Sequence, residues 1–219
     1  GSTGRPKGVE IPHHAIARII HHRGFWFFDA QAVVLQFASV AFDLAPFELW
    51  GALARGGKLV LPPAASLSAR EPGDVIQRHG VNVMWLTAAL FHRIVATNVQ
   101  LLRPLRALLA GGDALEPRAV ERVLAELPDT CMINGYGPTE NGSLTTVHVF
   151  EREHLQRHGV SIGRPVDNTT VQILDRHGED APLGGVGELW TGGEGLARGY
   201  LNAPELTAER FVIHPRHGR

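Results

Sequence analysis

The chain has 219 residues, 44% of them hydrophobic, and carries 21 basic and 22 acidic side chains for a formal net charge of −1. This length allows one large globular domain or two small ones. A near-neutral charge without a general basic patch argues against nucleic acid as a partner. The longest apolar run, residues 33–42, is interrupted by Gln36 and Ser39. It is shorter than the roughly 20 residues of a membrane helix, so no membrane partner is expected.

The cysteine content and the two ends of the chain indicate its cellular context. Cys131 is the only cysteine, which excludes an internal disulfide, and its apolar neighbours favour a packed thiol. No signal peptide is visible, and we expect a cytoplasmic location. The sequence starts within a glycine-rich loop, without Met, and ends in a predicted loop. We therefore expect an internal fragment, truncated at both ends.

Strands and helices alternate through the first two thirds of the chain. After a helix that ends near Gly24, the predicted strands cover residues 33–38, 58–61, 81–86, 105–110 and 130–133. The predicted helices cover residues 47–55, 72–79 and 88–96, and a further helix begins at Pro117. This alternation predicts an α/β fold with a mostly parallel sheet and helices on both faces.

The character of the sequence changes near residue 145. Two strands, at residues 171–174 and 187–191, are followed by closely spaced glycines and predict a β-rich unit. We therefore expect residues 1–145 to form an α/β nucleotide- and substrate-binding subdomain. Residues 146–219 are expected to form part of a β-rich, barrel-like subdomain.

Two polar loops carry the chemistry. Residues 1–8 read GSTGRPKG, in which glycines, two hydroxyls and Lys7 form the kind of loop that holds phosphates. Residues 134–140 read NGYGPTE, which offers an aromatic face, a hydroxyl and a carboxylate suited to Mg²⁺. Loops at the carboxyl ends of parallel strands form the ligand crevice. Asp43, residues 111–113 and residues 134–140 are thus expected to converge.

Both strings, in this order and separation, resemble the ANL superfamily of adenylate-forming enzymes, over nearly the whole chain. Within that superfamily they are most similar to the adenylation domains of nonribosomal peptide synthetases. The resemblance implies an incomplete ANL N-terminal domain. It also implies that a carboxylate attacks the α-phosphorus of ATP, giving an acyl-adenylate and pyrophosphate.

The resemblance assigns the nucleotide site residue by residue. Tyr136 would stack on adenine, Asn134 would bond the adenine edge, and Glu140 would ligate Mg²⁺. Catalytic roles would fall to Thr3, Lys7, Thr139 and Glu140. The residues implied to hold ATP are Ser2, Thr3, Gly4, Lys7, Gly112, Asn134, Tyr136, Gly137 and Thr139.

The resemblance also places a substrate pocket, in which Asp43 would pair with the α-ammonium of an amino acid. The alternative is that Asp43 caps the following helix. Phe47 and Trp85 are bulky, while Gly111 and Gly135 are expected to leave room, which favours an apolar or aromatic substrate side chain. The implied pocket residues are Asp43, Leu44, Phe47, Trp85, Leu109, Gly111, Gly135, Ser143 and Leu144.

The implied function is ATP- and Mg²⁺-dependent activation of an amino acid as aminoacyl-AMP in nonribosomal peptide synthesis. The acyl group would then pass to the phosphopantetheine of a peptidyl carrier domain, beside condensation domains. One alternative is an acyl- or aryl-CoA ligase of the same superfamily, which needs no ammonium partner at Asp43. Another is a non-catalytic substrate-recognition unit. The isolated fragment is expected to show little adenylation activity.

Overall fold

The computed structural model describes residues 7–62 and 71–218. Its helices are α1 (His13–Ile20), α2 (Ala45–Leu53), α3 (Glu71–His79), α4 (Ala88–Asn98), α5 (Pro117–Glu126), α6 (Arg152–His158) and α7 (Pro204–Arg210). Its strands are β1 (Val33–Leu35), β2 (Lys58–Val60), β3 (Val83–Thr87), β4 (Ala107–Gly111), β5 (Cys131–Tyr136), β6 (Thr146–Val149), β7 (Arg164–Pro165), β8 (Thr169–Leu174) and β9 (Glu188–Gly193). Short 3₁₀ turns lie at Val99–Leu102 and Thr139–Asn141. Within the described ranges, no helix combines the length and the apolar character that crossing a membrane requires.

The main sheet has seven strands in the order β2-β1-β3-β4-β5-β6-β7. The strands from β2 to β5 pair in parallel, whereas β6 and β7 join antiparallel at one edge. The predicted mostly parallel α/β sheet is therefore confirmed. In the described part of the chain, β8 and β9 form a separate two-stranded antiparallel sheet rather than a closed barrel.

Hydrophobic packing covers both faces of the main sheet, because successive strand side chains point to opposite sides. In β3, Met84 and Leu86 belong to one buried cluster, which also contains residues of α3, α4 and α5. Val83 and Trp85 belong to the second cluster, on the other face. The aromatic part of this second cluster consists of Phe25, Phe27, Phe28 and Phe47.

Two strand ends differ from the prediction by three residues, and hydrogen bonds explain both. Strand β1 ends at Leu35, short of the predicted residue 38, because the amides of Phe37 and Ala38 donate to the carboxyl group of Glu48, each at 3.0 Å. Strand β5 continues beyond the predicted residue 133 to Tyr136, because its last residues pair with β6. Part of the predicted 134–140 loop is therefore strand.

The strands after residue 145 fall in two places. Strands β6 and β7 extend the main sheet, and the separate sheet begins only with β8 at Thr169. Hydrogen bonding thus continues across the expected boundary between residues 145 and 146. The division into two subdomains stays a prediction.

Candidate functional site

A cavity of about 610 Å³ opens at the carboxyl ends of β3, β4 and β5. Parallel strands end on the same edge of the sheet, so the loops that follow them meet there. The walls come from four separate parts of the sequence. These parts are residues 37–44 before α2, residues 85–89, residues 111–113 and residues 135–144.

Most of the residues predicted to hold a substrate line this cavity. They are Asp43, Leu44, Trp85, Gly111, Gly135, Ser143 and Leu144. Phe47 and Leu109 instead lie buried in the core. The Phe47 ring packs against Phe28 and Phe25, with ring centroids 4.9 and 5.4 Å apart, so its bulk supports the wall from behind.

The Asp43 carboxylate accepts a hydrogen bond from the Thr139 hydroxyl at 2.5 Å, and the Ser143 hydroxyl donates to the Asp43 carbonyl. Helix α2 begins at Ala45, and its N-cap residue, Leu44, makes no side-chain capping bond. The alternative role of Asp43 as the N-cap is therefore wrong. Among residues 7–62 and 71–218, Asp43 forms no ion pair, so no cation of the described chain neutralises it.

A second, more polar cleft of about 510 Å³ lies on the other side of the 137–140 loop. Gly137 and Thr139 line the cavity, whereas Pro138 and Glu140 line the cleft, so the loop separates the two. Further lining residues of the cleft include Lys7, Trp190, Tyr200 and Arg210. The 137–140 loop thus contributes side chains to both the cavity and the cleft.

Tyr200 organises the cleft. Its hydroxyl donates to the Glu140 carboxylate at 2.5 Å, and the Lys7 ammonium lies 5.1 Å from the centre of its ring. Burial, together with this bond to Glu140, raises the pKa of Tyr200 to about 12, so the hydroxyl keeps its proton. The sequence prediction assigned Tyr200 no role, although a tyrosine between glycine-rich and polar segments was a usable signal.

Backbone bonds hold the end of the glycine-rich loop beside Tyr200. The Leu201 amide donates to the Gly8 carbonyl at 2.9 Å, and the Glu10 amide donates to the Gly199 carbonyl at 3.0 Å. Lys7 is thereby placed at the cleft. The predicted phosphate-loop residues Ser2, Thr3 and Gly4 lie outside the described residues.

The remaining predicted nucleotide residues lie at or near the ends of β4 and β5. The Asn134 side chain is buried and donates to the Ser161 carbonyl at 2.8 Å. Tyr136, at the end of β5, is 39% exposed. Gly112 has a positive φ of 80°, and apart from its two chain neighbours no described residue comes within 4 Å of the place where a Cβ would stand, so its backbone borders open space.

Glu140 offers a limited but suitable donor set for Mg²⁺. One of its carboxylate oxygens accepts from Tyr200, which, among the contacts of the described residues, leaves the other available. The described residues contain no group of three or more His, Cys, Asp and Glu side chains able to hold a metal. Mg²⁺ commonly takes only one or two carboxylates together with substrate phosphates. These residues therefore fit Mg²⁺ that arrives with a nucleotide.

The prediction also missed Glu48, which is fully buried in α2. Its carboxyl accepts the amides of Phe37 and Ala38, which line the cavity. Burial raises the pKa of Glu48 to about 8, and the two amide bonds oppose this shift. A carboxylate among the apolar residues of the predicted helix was the available signal.

Arg18 is a further buried group that sequence reasoning did not find. Its guanidinium reaches from α1 to the carbonyls of Asn141 and Leu144, at 3.0 and 2.9 Å. Burial lowers the pKa of Arg18 to about 10. The arginine thereby fixes the loop that carries Thr139 and Ser143. Its position one residue before Ile19, on the apolar face of α1, was the signal.

The geometry defines the class of protein: an α/β small-molecule-binding protein whose site lies at the carboxyl edge of a parallel sheet. The family model of the AMP-binding enzyme matches residues 1–201. The chain therefore belongs to the AMP-binding enzyme family.

Known peptide synthetases are similar over almost the whole chain. One of the linear gramicidin synthase proteins of Brevibacillus parabrevis is 47% identical over 215 residues, which cover 98% of this chain and 3% of the relative. Tyrocidine synthase 3 of the same organism is 40% identical over 216 residues, again 98% of this chain and 3% of the relative. The chain therefore spans only a small part of these curated relatives.

Solved structures show the same fold. The chain matches holo-PA1221, described as a nonribosomal peptide synthetase protein with adenylation and PCP domains, with a TM-score of 0.91 and 37% identity. The match covers all of this chain and 38% of that one. The N-terminal subdomain of Klebsiella oxytoca NpsA, in complex with 3-hydroxyanthranilyl-AMSN, matches with a TM-score of 0.88 and 29% identity, covering 100% of this chain and 56% of that chain.

Proposed function

We propose that this chain is part of an adenylation domain that activates an amino acid as aminoacyl-AMP for nonribosomal peptide synthesis. The reaction consumes ATP with Mg²⁺, and the acyl group passes to the phosphopantetheine of a peptidyl carrier domain, beside condensation domains. The family match, the peptide-synthetase relatives and the adenylation–PCP structure support this proposal. The cytoplasmic location expected from the sequence remains a prediction.

The observation that carries the proposal is the carboxylate of Asp43 in the cavity wall. A carboxylate that is partly withdrawn from water is costly unless a cation meets it. The described chain provides Thr139 as a hydrogen-bond donor but no cation. The α-ammonium of an amino acid would supply the missing charge. A carboxylic acid without an amine would leave Asp43 uncompensated.

The remaining residues would align the reactants. Tyr136 would stack on adenine, Asn134 would hydrogen-bond the adenine edge, and the open backbone at Gly112 would lie against the ligands. Lys7, with Ser2, Thr3 and Gly4, would hold the β- and γ-phosphates, and Thr139 would contact the α-phosphate. Bound Mg²⁺, held by Glu140, would neutralise negative charge on the phosphates. Such alignment and charge neutralisation supply most of the catalysis in reactions at phosphorus.

The polarity of the cavity wall limits the substrate side chain. Ser143 and Thr139 already donate to Asp43, and Leu44, Trp85 and Leu144 are apolar. Besides Asp43, the lining contains one charged residue, Asp113 on the loop after β4, and no basic residue. We therefore propose an apolar side chain for the activated amino acid.

The test is amino-acid-dependent ATP–pyrophosphate exchange. The chain is completed with the flanking segments of the linear gramicidin synthase relative, and a panel of amino acids and simple carboxylic acids is assayed. We expect exchange with an α-amino acid, reduced at least about 100-fold in Asp43→Asn, because removing the charge partner of a partly buried ammonium group costs about 3 kcal/mol. Asp129→Asn, on an exposed loop before β5, is the matched control.

Each alternative has its own outcome. Exchange that requires no amine, and is unaffected by Asp43→Asn, would indicate an acyl- or aryl-CoA ligase. A folded chimera without exchange for any acid, beside an active parent domain, would favour a non-catalytic recognition unit. Either result would overturn the proposed function.

A further inference from the structure

The residues that follow the 137–140 loop carry backbone strain. Gly142 and Ser143 both have positive φ angles, of 63° and 77°. Glycine adopts this left-handed conformation freely, whereas a serine holds it only where its surroundings fix the backbone. The strained serine makes a contact at the cavity, because its hydroxyl donates to the carbonyl of Asp43.

The guanidinium of Arg18 holds the backbone on both sides of this strained pair. Its Nη2 donates to the carbonyl of Asn141 at 3.0 Å and to the carbonyl of Leu144 at 2.9 Å, the residues directly before and after the pair. Because both bonds come from one nitrogen, the two carbonyl oxygens must stay within reach of a single atom. Relaxation of the pair toward ordinary φ angles would change the distance between these oxygens and disturb the bonds.

Stability alone is a weak reason for an arginine at this position. Arg18 is 5% exposed, and in the part of the chain that the structure describes it forms no ion pair. Besides the two carbonyls, it donates to the Thr169 hydroxyl of β8. An apolar side chain in place of a buried charged group is often equally stable or more so. A fixed position of the loop explains the arginine better.

The cleft side of the loop has separate support. The Ala197 amide donates to the Glu140 carbonyl at 2.9 Å, and the Tyr200 hydroxyl donates to the Glu140 carboxylate. Neither bond involves Arg18. Loss of the guanidinium is therefore expected to displace Ser143 more than Glu140.

We propose that Arg18 is a positioning residue for amino-acid binding. By holding the strained pair, it keeps the Ser143 hydroxyl on Asp43 and thereby fixes the carboxylate that meets the α-ammonium. This inference rests on the proposed function, which supplies the amino acid. Arg18 is not among the described residues that line the cavity, so it acts on the substrate only through the loop.

The experiment measures ATP–pyrophosphate exchange in the completed domain described above, for Arg18→Met and Arg18→Lys. For Arg18→Met we expect KM for the amino acid to rise at least about 10-fold, because a small displacement of a positioned group is costly. KM for ATP is expected to change by less than about 2-fold. Arg18→Lys keeps a donor nitrogen and is expected to give a smaller rise; it serves if the methionine variant does not fold.

Arg106→Met is the matched control. Arg106 is partly buried and donates to the Phe27 carbonyl and the Asp29 carboxylate. It precedes β4, at the opposite end of that strand from the cavity. We expect its loss to lower stability and to leave KM for the amino acid unchanged.

A double-mutant cycle with Ser143→Ala tests the route of the effect. If Arg18 acts through the serine hydroxyl, Arg18→Met is expected to raise KM for the amino acid by less than about 2-fold in the Ser143→Ala background. Effects of the two substitutions that simply multiply would overturn the inference.

Hydrogen exchange of the 219-residue chain gives a readout that does not depend on activity. Within residues 138–145, the Gly142 amide donates to the Thr139 carbonyl and the Thr145 amide donates to the Tyr136 carbonyl. In Arg18→Met we expect these amides to exchange at least about 10-fold faster than in the unmodified chain or in Arg106→Met. Equal exchange in the three proteins would overturn the inference.

The outcomes separate this inference from the proposed function. An unchanged KM for the amino acid in folded Arg18→Met, or an equal rise in KM for ATP, would overturn the inference and leave the proposed function intact. Exchange only with acids that lack an amine would overturn the proposed function and, with it, the inference.

Discussion

The cavity and the cleft on the two sides of the 137–140 loop are built in different ways. One wall of the cavity is formed by neighbouring parallel strands, where the Trp85 ring is packed beside Gly111 and Gly135. The cleft brings together Lys7, Glu140 and Tyr200, which are far apart in the sequence. Two polar contacts connect these three side chains. They are the hydrogen bond from Tyr200 to Glu140 and the contact of the Lys7 ammonium with the Tyr200 ring.

This difference suggests a division of labour. A wall made of packed core residues cannot change shape cheaply, which suits the selection of one side chain over another. A cleft whose side chains are joined by few polar contacts can adjust, which suits phosphates and a metal that enter and leave. Substitutions in the cavity wall are therefore expected to cost more stability than substitutions in the cleft.

The largest effect is expected for Gly111→Ala. The added Cβ would lie 2.0 Å from the carbonyl oxygen of Gly135 and 2.8 Å from Trp85, so a strand or the indole must shift. We expect the free energy of unfolding to fall by about 3 kcal/mol or more, as for severe overpacking. Urea unfolding of the 219-residue chain measures it.

Gly112→Ala is the matched control, one residue away. A Cβ there meets nothing within 4 Å, and only the positive φ of 80° opposes it. We expect a loss of about 1 kcal/mol, the usual cost of a left-handed alanine. Equal losses in the two variants would contradict the tight packing of the strand ends.

A second prediction concerns the pH dependence that the buried Glu48 gives to the cavity wall. Burial raises the pKa of Glu48 to about 8 in the folded chain, from 4.5 for an unperturbed carboxyl. The folded state therefore keeps a proton that the unfolded state releases between these values. The stability from this proton is complete below pH 4.5 and is lost as the pH rises to about 8.

Glu48→Gln isolates this effect, because glutamine keeps an acceptor for the Phe37 and Ala38 amides but does not titrate. Between about pH 5 and 8, we expect the unfolding free energy of the wild type to decrease relative to the variant by about 1 kcal/mol per pH unit. Urea unfolding across this pH range measures the difference. If the unfolding free energies of the wild type and Glu48→Gln changed in parallel with pH, the prediction would be wrong. The carboxyl of Glu48 would then titrate alike in the folded and unfolded states.

The sequence was sufficient for the parts of the fold that depend on local pattern. Alternating apolar strands and amphipathic helices determine a parallel sheet, and strand ends determine where a cavity forms. Trp85, Gly111 and Gly135 could therefore be assigned to one site. The sequence was not sufficient to show that the Trp85 indole fills the space beside Gly111 and Gly135. That depends on the direction in which the indole extends from β3 across β4 and β5.

The polar contacts were less predictable for a physical reason. Arg18, Glu48 and Tyr200 each act on a residue brought near by tertiary folding, at separations of 123, 11 and 60 positions. A buried charge leaves only a weak sequence signal, namely a charged residue at an apolar position. Its partner, here most often a backbone group, has no sequence signal.

The smallest effect is expected in the cleft, for Tyr200→Phe. This change removes the hydroxyl that donates to Glu140 and keeps the ring beside Lys7. A partly buried hydrogen bond to a carboxylate contributes about 1 kcal/mol or slightly more, so we expect a loss of that size in urea unfolding. Tyr136→Phe, a substitution of the same kind on a ring that is 39% exposed, is expected to change stability by less than about 0.5 kcal/mol.

The same variant tests whether Tyr200 orients Glu140 for a metal. Without the tyrosine hydroxyl, both carboxylate oxygens of Glu140 become free to turn toward solvent. We therefore expect a weaker stabilisation of the chain by Mg²⁺ with ATP, measured as a smaller rise in the unfolding temperature, while ATP without Mg²⁺ stabilises both proteins equally. If Tyr200→Phe lowered the free energy of unfolding as much as Gly111→Ala does, the proposed difference between cleft and cavity wall would be contradicted. The cleft would then be as tightly constrained as the wall.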